Sequence, residues 1–430
     1  MSTQIFTEIE SNVRSYCRTF PVVFTKAKDA ILYTESEQQY IDFFAGAGAL
    51  NYGHNNDYLK QKLIEYLSAD FITHGLDLYT SAKREFLIDF NQYILKPRKL
   101  DYKVHFCGPT GTNAVEAAFK LARKVKGRSG IFAFMGGFHG MTLGSLAATG
   151  NKYNRAAAGV PLNNITFMPY PHGFMASFDT IEYISNVLND PNSGIEKPAA
   201  MILETTQAEG GVIVAPSQWL RSIKALCEEH DILLICDDIQ TGCGRTGTFF
   251  SFERAGIMPD IVLLSKSISG YGIPFSLALY KPELDVWEPA EHNGTFRGNQ
   301  LAFVTGTAAL EHYWSNNKLV DEIKQKENYL RTFMENEIQP LCSELDIRGL
   351  GLIWGIDMSK LGKPNLAQAV TKCGFASGLV IECSGRNDQV IKLLPPLIIN
   401  QKLLAKGCQI LKQALIETLD SNALLPLSFN

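Results

Sequence analysis

The middle of the chain alternates short, continuously apolar segments with longer amphipathic ones. Continuous apolar runs of about four to eight residues are typical of strands that are covered on both faces. They predict strands at Val104–Phe106, Gly130–Phe134, Ile165–Met168, Ala199–Leu203, Leu233–Asp237, Ile261–Leu264 and Ser276–Tyr280. The amphipathic segments predict helices at Asn113–Lys126, Ser217–Glu229 and Asn299–Tyr313. This alternation predicts an α/β protein with a mostly parallel sheet covered by helices.

The last third of the chain has a different pattern, which predicts a smaller α+β unit. Helices are expected at Leu319–Leu341, Asn365–Ser377 and Lys402–Leu419, and strands at Ile347–Asp357 and Val390–Leu394. Near the N-terminus, the strand-like segments Ala30–Thr34 and Gln39–Phe43 are expected to join this unit. The predicted boundaries are therefore 1–56 for the N-terminal part of the small domain, 57–315 for the large domain and 316–430 for the rest of the small domain.

Composition excludes several classes of function. Apolar residues make up 46% of the chain and charged residues 20%, which is typical of a globular protein. The net charge of −4 without a basic cluster argues against nucleic-acid binding. We expect no signal peptide and no membrane span, because no apolar run approaches the roughly 18 residues that a span needs. Nine cysteines without a CxxC spacing favour reduced thiols, a cytoplasmic location and no metal site.

Two chemically active side chains follow two of the predicted strands. Asp237 ends the apolar run Ile232–Cys236, and Lys266 comes just after Ile261–Leu264. Because ligands of parallel α/β sheets gather at the carboxyl ends of the strands, we expect the two to meet there. A lysine amine can bond to the aldehyde of pyridoxal 5'-phosphate (PLP), and a carboxylate can keep its ring nitrogen protonated. The pair therefore predicts a PLP site.

Two glycine-containing turns follow other predicted strands and could complete such a site. In Gly108–Asn113 (GPTGTN), a turn leads from a strand into a helix, a geometry that directs backbone N–H groups at an anion such as phosphate. In the second turn, Phe138 lies between glycines that allow close approach, so its ring could stack on a flat cofactor. The alternatives are an ordinary turn and a core phenylalanine, and His139 can equally be a core histidine.

Two further polar segments lie at predicted strand ends. Glu204–Gly211 (ETTQAEGG) carries two acids and an amide, which suit either a solvated loop or a group that handles charged substrates. Gln240, three residues after Asp237, could bond the ring hydroxyl of the cofactor.

Several of these stretches together resemble the fold-type I, class III (ω-) aminotransferases. The resemblance is carried by DDIQTGCGRTG (Asp237–Gly247), PDIVLLSK (Pro259–Lys266) and TFRGN after His292, in this order and spacing, and extends over essentially the whole chain. FFAGAGALNYGHN (Phe43–Asn55), GPTGTNAVEA (Gly108–Ala117) and EHNGTFRG (Glu291–Gly298) are similar to the subgroup of diaminobutyrate–2-oxoglutarate aminotransferases. The implied fold is a PLP transferase with a large, mostly parallel sheet domain and a smaller α+β domain.

The resemblance implies a role for each matching residue. Lys266 bonds to the cofactor aldehyde and then moves the substrate proton, Asp237 pairs with the ring nitrogen, and Gln240 contacts the ring hydroxyl. Phe138 stacks on the ring. Gly111 and Thr112 hold the phosphate from the same subunit, whereas Thr295 reaches the phosphate of the neighbouring subunit, which makes a homodimer the smallest active unit. The further roles concern the substrate: Glu209 resembles the acid that lets one pocket accept both an ω-amine and the α-amine of glutamate.

One position departs from the family pattern. Many relatives place an arginine before the Leu-Pro-Pro-Leu segment, where it grips the α-carboxylate of glutamate, but this chain has Lys392 there. A lysine is a point charge and cannot form the bidentate pair that an arginine forms. Either Lys392 binds the carboxylate less strongly, or another cation does so, with Arg297 and Arg386 as options. Asp77 is either a contact for a substrate ammonium group or, more simply, a solvated acid.

The expected reaction is transfer of the 4-amino group between L-2,4-diaminobutyrate and 2-oxoglutarate. A second hypothesis is transfer from another ω-amine such as ornithine, 4-aminobutyrate or diaminopropane. A third is a PLP isomerase, a decarboxylase or a catalytically silent PLP-binding protein. The sequence leaves open the pathway, whether ectoine synthesis or precursor supply for siderophores and peptides, and the physiological direction.

Overall fold

The helices of the protein are taken from a computed structural model, which describes residues 3–172 and 177–423. They are α1 (Gln4–Ile9), α2 (Tyr16–Thr19), α3 (Ala45–Gly48), α4 (Asp57–Ser68), α5 (Ser81–Asp89), α6 (Gly111–Lys126), α7 (Leu143–Ala148), α8 (Lys152–Ala156), α9 (Thr180–Asn189), α10 (Ser217–Glu229), α11 (Gln300–Trp314), α12 (Lys318–Phe333), α13 (Leu366–Ala376) and α14 (Gln401–Ala423). Short π-helical or 3-10 segments occupy Phe90–Leu95, Lys96–Arg98, Ser251–Ala255, Lys266–Ser269, Pro282–Leu284, Met334–Ile338, Gln339–Leu341, Ser359–Leu361 and Arg386–Asp388. None of the described helices is long and apolar enough to cross a membrane.

The strands form one large sheet and three small ones. They are β1 (Phe24–Lys28), β2 (Ile31–Thr34), β3 (Gln39–Asp42), β4 (Lys103–Phe106), β5 (Ile131–Phe134), β6 (Ile165–Met168), β7 (Ala200–Leu203), β8 (Thr206–Gln207), β9 (Ile213–Val214), β10 (Leu233–Asp237), β11 (Ile261–Leu264), β12 (Leu277–Tyr280), β13 (Asp346–Leu350), β14 (Ile353–Asp357), β15 (Leu379–Val380), β16 (Glu382–Ser384) and β17 (Val390–Leu393). The order in the large, seven-stranded sheet is β4-β12-β11-β10-β7-β5-β6.

The large sheet confirms the predicted α/β architecture. Only β12 runs against its neighbours, while β11, β10, β7, β5 and β6 pair in parallel. Successive side chains along each strand point to opposite faces, so both faces are apolar. Ile235 and Leu263 pack in one cluster with α6, whereas Leu234 and Phe132 pack in another with α10. This double cover brings the ends of β10 and β11 to one edge of the sheet.

The N-terminal strands join the C-terminal part of the chain in a second sheet. Its order is β1-β2-β3-β15, and β15 pairs with β3 in parallel. The third sheet, β13-β14-β17-β16, is antiparallel and lies in the last third of the chain. The boundaries 1–56, 57–315 and 316–430 stay a prediction, and their outer ends, residues 1–2 and 424–430, lie outside the described residues.

The prediction of a single strand at Ile347–Asp357 is wrong. The segment is a hairpin, in which β13 and β14 pair antiparallel with Leu350 opposite Ile353. Gly351 turns the chain between them with a φ of 58°, a left-handed conformation that glycine adopts without steric cost. Apolar residues continue through the turn, because Leu352 is fully buried, and this continuity hides the reversal from a hydrophobicity pattern.

A buried acid joins the beginnings of the two strands that lead to the predicted site. Asp260, just before β11, accepts hydrogen bonds from the backbone N–H of Leu234 (2.8 Å) and from the ammonium groups of Lys281 (2.6 Å) and Lys224 (3.2 Å). One carboxylate thereby connects α10, β10, β11 and the end of β12. Breaking a buried ion pair by removing one partner costs several kcal/mol, because the remaining charge is left uncompensated.

We expect Asp260→Ala to lower the free energy of unfolding by about 3 kcal/mol. The free energy is measured by urea denaturation followed by circular dichroism. Glu228→Ala is the matched control, because Glu228 also pairs with Lys224 (3.3 Å) but is 65% exposed, and it should cost less than about 1 kcal/mol. Equal losses in the two variants would show that Asp260 does not hold the strands together.

Candidate active site

Lys266 lies immediately beyond the end of β11, in a strained turn. Its φ of 51° bends the chain from the strand into the 3-10 segment Lys266–Ser269. On either side, the Ser265 hydroxyl donates to the carbonyl of Phe275 and the Ser267 hydroxyl donates to that of Gly48, both at 2.7 Å. Burial lowers the pKa of the Lys266 amine below its ordinary value. The turn therefore holds an amine that loses its proton more easily than an exposed lysine.

Asp237, the last residue of β10, is paired with a buried histidine. Its Oδ2 lies 2.7 Å from Nδ1 of His139, and its Oδ1 accepts from the backbone N–H of Ile239 at 3.2 Å. Burial lowers the pKa of His139, but the hydrogen bond and the charge of Asp237 outweigh burial and raise it. The histidine thus fixes one carboxylate oxygen and favours the ionised form of the acid.

Both side chains line one cavity at this edge of the sheet. Its empty volume, including the open mouth, is about 580 Å³. The lining residues are Gly111, Thr112, Phe138, His139, Gly140, Glu204, Glu209, Asp237, Ile239, Gln240 and Lys266. The cavity therefore brings together every residue singled out in the sequence for the cofactor or substrate except Thr295 and Lys392.

At one end of the cavity, α6 begins directly at Gly111. The hydroxyl of Thr112 is within hydrogen-bond distance of those of Ser145 (2.5 Å) and Thr142 (2.6 Å). Gly140, with a φ of 129°, packs so closely that an added Cβ would lie 2.5 Å from Oγ1 of Thr112. The free N–H groups of the first helical turn and the positive end of the helix dipole face this end, which suits an anion.

A buried glutamate holds the loop that carries Phe138. The two carboxylate oxygens of Glu204, just after β7, accept from the backbone N–H groups of Phe138 (2.9 Å) and Ala208 (3.1 Å). Burial raises the pKa of Glu204 to about 7. Glu204 therefore connects the Phe138 loop to the segment that leads to Glu209.

Gln240 has one amide atom engaged and one atom free. Its Nε2 donates to the carbonyl of Ala47 (2.9 Å) and to Oε1 of Glu209 (3.1 Å). Its Oε1 is buried and has no hydrogen-bond partner among residues 3–172 and 177–423. Gly48 contacts the same side chain, since a Cβ there would lie 3.3 Å from Cγ of Gln240. The segment of small residues thus packs on Gln240 and leaves one acceptor for a ligand.

Lys392 lies behind Glu209 and contacts two carboxylates. Its Nζ is 2.5 Å from Oε1 of Glu209 and 2.9 Å from Oε1 of Glu382. The Lys392 side chain is 0% exposed. Burial lowers the pKa of Lys392, but the charges of Glu209 and Glu382 outweigh burial and raise it. Burial raises the pKa of Glu209, but the charges of Lys392 and Lys266 outweigh it, so the net direction is downward. Lys392 and Glu209 are therefore both ionised.

The other predicted residues lie outside the cavity. Thr295 is exposed in the loop before α11. Arg297 in the same loop is 4.0 Å from Asp77, and Arg386 is exposed in the turn between β16 and β17. Within one subunit, Lys392 is thus the predicted carboxylate-binding cation that lies beside Glu209.

Sequence reasoning missed the roles of three residues in this network: His139, Glu204 and Glu382. Their contacts join segments far apart along the chain, so spacing alone does not indicate the first two. Glu382 leaves a clearer signal. The turn-forming residues Gly385–Asp388 predict a hairpin centred near 387, whose register places position 382 opposite Lys392, as the structure has it.

Comparisons with known proteins agree with this geometry. The family model described as Aminotransferase class-III matches residues 13–415. The chain is 54% identical to the diaminobutyrate–2-oxoglutarate transaminase of Bordetella parapertussis, over 97% of this chain and 96% of the relative. The enzymes of the same name from Streptomyces coelicolor and Halalkalibacterium halodurans are 53% and 51% identical, each over 96% of this chain and over 98% and 97% of their own lengths.

Solved structures share the fold. One is the ornithine aminotransferase from Toxoplasma gondii with partial occupancy of PLP at its active site, which has a TM-score of 0.85 and 24% identity over 98% of this chain and 94% of that one. Another is an S-selective transaminase from Arthrobacter sp., with a TM-score of 0.85 and 22% identity over 96% of each chain. These likenesses establish the fold of the whole described chain.

Proposed function

The chain belongs to the class III aminotransferases, and we propose that it is a PLP-dependent transaminase of L-2,4-diaminobutyrate and 2-oxoglutarate. The 4-amino group passes between the two, giving aspartate 4-semialdehyde and glutamate or the reverse. The names of several relatives at 51–54% identity over nearly their full lengths support this substrate pair. The single observation that carries the reaction type is the shared cavity of Lys266 and Asp237.

The residues of the cavity fit PLP chemically. Lys266 offers an amine for the aldehyde, and the ionised carboxylate of Asp237 suits a protonated ring nitrogen. The unpartnered Oε1 of Gln240 can accept from the ring hydroxyl, which satisfies a buried polar atom that otherwise costs free energy. Gly111 and Thr112, at the beginning of α6, suit the phosphate. The ring of Phe138 lines the same cavity and suits stacking.

The chain's own side chains then divide the work. PLP, when bound, supplies an electron-poor ring that accepts the electrons released at the reacting carbon of the substrate. Lys266, whose pKa burial lowers, takes the proton from that carbon at its Nζ and returns it in the second half of the reaction. Asp237, held by His139, keeps its charge at the ring nitrogen. Phe138 and Ile239 exclude water from the cavity walls.

Two donors use the pocket in turn, and Glu209 and Lys392 distinguish them. Glutamate brings an α-carboxylate on its reacting carbon, which suits the ammonium of Lys392 once Glu209 moves aside. The reacting carbon of diaminobutyrate carries only hydrogen at that place, so Glu209 stays paired with Lys392 at 2.5 Å. A single pocket thereby serves an ω-amine and an α-amine.

We further infer a homodimer. Exposed apolar side chains cluster near Thr295: Phe296 is 65% exposed and Tyr79 102%, and the 4.0 Å contact between Arg297 and Asp77 joins their two segments. Large exposed apolar surfaces are typical of interaction sites. A second copy that covers this surface would bring Thr295 toward the phosphate end of the neighbouring cavity.

Thr295→Ala is expected to weaken PLP binding about tenfold, because one hydrogen bond to a charged phosphate is lost. The dissociation constant is measured by titrating the apoprotein with PLP and following absorbance. Ser421→Ala, an exposed hydroxyl on α14, is the control and should leave the constant unchanged. Unchanged binding in Thr295→Ala would remove this residue from the phosphate site.

The function is tested with a coupled assay of the purified, PLP-loaded protein. L-2,4-diaminobutyrate and 2-oxoglutarate should yield glutamate faster than ornithine, 4-aminobutyrate or diaminopropane does as donor. Preference for one of those amines would replace the substrate, and failure of every donor to yield glutamate would replace the reaction.

A further inference from the structure

Glu382 is a second acid at the substrate end of the cavity and has no role in the reaction described so far. It is buried, and its carboxylate lies 2.9 Å from the ammonium of Lys392. Glu209 contacts the same ammonium at 2.5 Å. Two carboxylates therefore share one cation in a region from which water is largely excluded.

The two acids differ in how firmly they are held. Glu382 and Lys392 are direct cross-strand partners of β16 and β17, so backbone pairing fixes their distance. Glu209 lies in the segment between β8 and β9, at the wall of the cavity, and its side chain is 30% exposed. Glu209 can therefore leave Lys392 when a substrate carboxylate arrives, whereas Glu382 remains.

The charges around Lys392 do not balance. With both acids ionised, the cluster of Glu209, Lys392 and Glu382 has a net charge of −1. Tyr16 faces the cluster, but burial raises its pKa to about 12, so the phenol stays neutral. The charge of Lys266 also acts on both acids, but burial lowers the pKa of its amine. A carboxylate that enters this region meets a lysine whose charge Glu382 already compensates.

We propose that Glu382 determines the choice between the two amino donors, because its fixed charge weakens the binding of a carboxylate on the reacting carbon and so favours the ω-amine. The proposal rests on the proposed function, since it concerns the same two donors. It also gives the substitution of lysine for arginine a consequence: a point charge shared between two acids retains little attraction for a third.

The sign of the effect follows from electrostatics. Removing a negative charge near a binding site favours every anion there by an amount that decreases with distance and with the effective dielectric constant. Glutamate places its α-carboxylate beside Lys392, whereas diaminobutyrate presents hydrogen at that place and bears its carboxylate farther away. Glu382→Gln keeps the shape of the side chain and removes the charge, so it should favour glutamate selectively.

The test compares the two donors in separate single-turnover reactions, followed by cofactor absorbance, at pH 8.5. Burial raises the pKa of Glu382 to about 7, so the wild-type carboxylate is ionised at this pH. In Glu382→Gln, kcat/KM for glutamate should rise about tenfold relative to that for 2,4-diaminobutyrate. The change should lie in KM, with the saturating rates unchanged.

Glu382→Asp, which keeps the charge, is the matched control and should leave the ratio within about twofold of wild type. If Glu382→Gln does not fold, Glu382→Ala replaces it with the same expected direction. Equal losses for both donors, or an unchanged ratio, would show that Glu382 is only structural and would overturn the proposal. A wild-type protein that reacts with diaminobutyrate alone or with neither donor would instead contradict the proposed function, and the proposal with it.

Discussion

Replacing Lys266 with alanine should reduce transamination at least about 10⁴-fold, because the substituted residue is both the attachment point and the base. No other described lysine lines the cavity. Lys392 is close, but it is paired with two acids that raise its pKa and keep it protonated. An amine in that state neither attacks an aldehyde nor accepts a proton.

The loss in Lys266→Ala is measured as the rate of glutamate formation in the coupled assay. The fold should survive, since removing a partly desolvated amine relieves a cost of burial, and circular dichroism should be unchanged. Lys402→Ala, on the exposed face of α14, is the matched control and should retain full activity. Turnover of Lys266→Ala within about tenfold of wild type would mean that another group performs the proton transfer.

Asp237→Asn should slow the half-reaction with either donor by about 10³-fold. Asparagine keeps the acceptor for the N–H of Ile239, but it has no charge with which to hold a proton on the ring nitrogen. His139, 2.7 Å from Oδ2, would also lose the charge that raises its pKa. The variant should therefore bind PLP and fail mainly in the saturating rate.

The measurement for Asp237→Asn is a stopped-flow record of cofactor absorbance with saturating glutamate. His139→Asn is a useful comparison, because it removes the residue that orients the acid and leaves the acid itself. It should cost less, about tenfold to a hundredfold. A saturating rate of Asp237→Asn close to wild type would exclude charge pairing at this position as the source of catalysis.

Features encoded locally were predicted from the sequence. The strands leading to Asp237 and Lys266 are continuous apolar runs, and the structure has them at Leu233–Asp237 and Ile261–Leu264. Because parallel strands place their carboxyl ends at one edge, the two side chains could be expected in one cavity before any coordinates were known. The positions of Gly111, Phe138 and Gln240 followed from the same rule.

Features that depend on contacts distant in sequence were not predicted. The hairpin β13–β14 was taken for one strand, because Leu352 continues the apolar run through the turn. The contact of His139 with Asp237 spans 98 positions, and that of Glu204 with Phe138 spans 66. Neither leaves a periodic signal, because hydrogen bonds between loops follow from the arrangement of strands and not from local spacing.

The most direct test of the account is to locate the covalent attachment of PLP. The loaded protein is reduced with borohydride, digested and analysed by mass spectrometry. The account predicts that the modified residue is Lys266 and that Lys392 is unmodified, although both amines lie beside Glu209. Modification of Lys392, or a protein that retains no reduced cofactor at all, would contradict it.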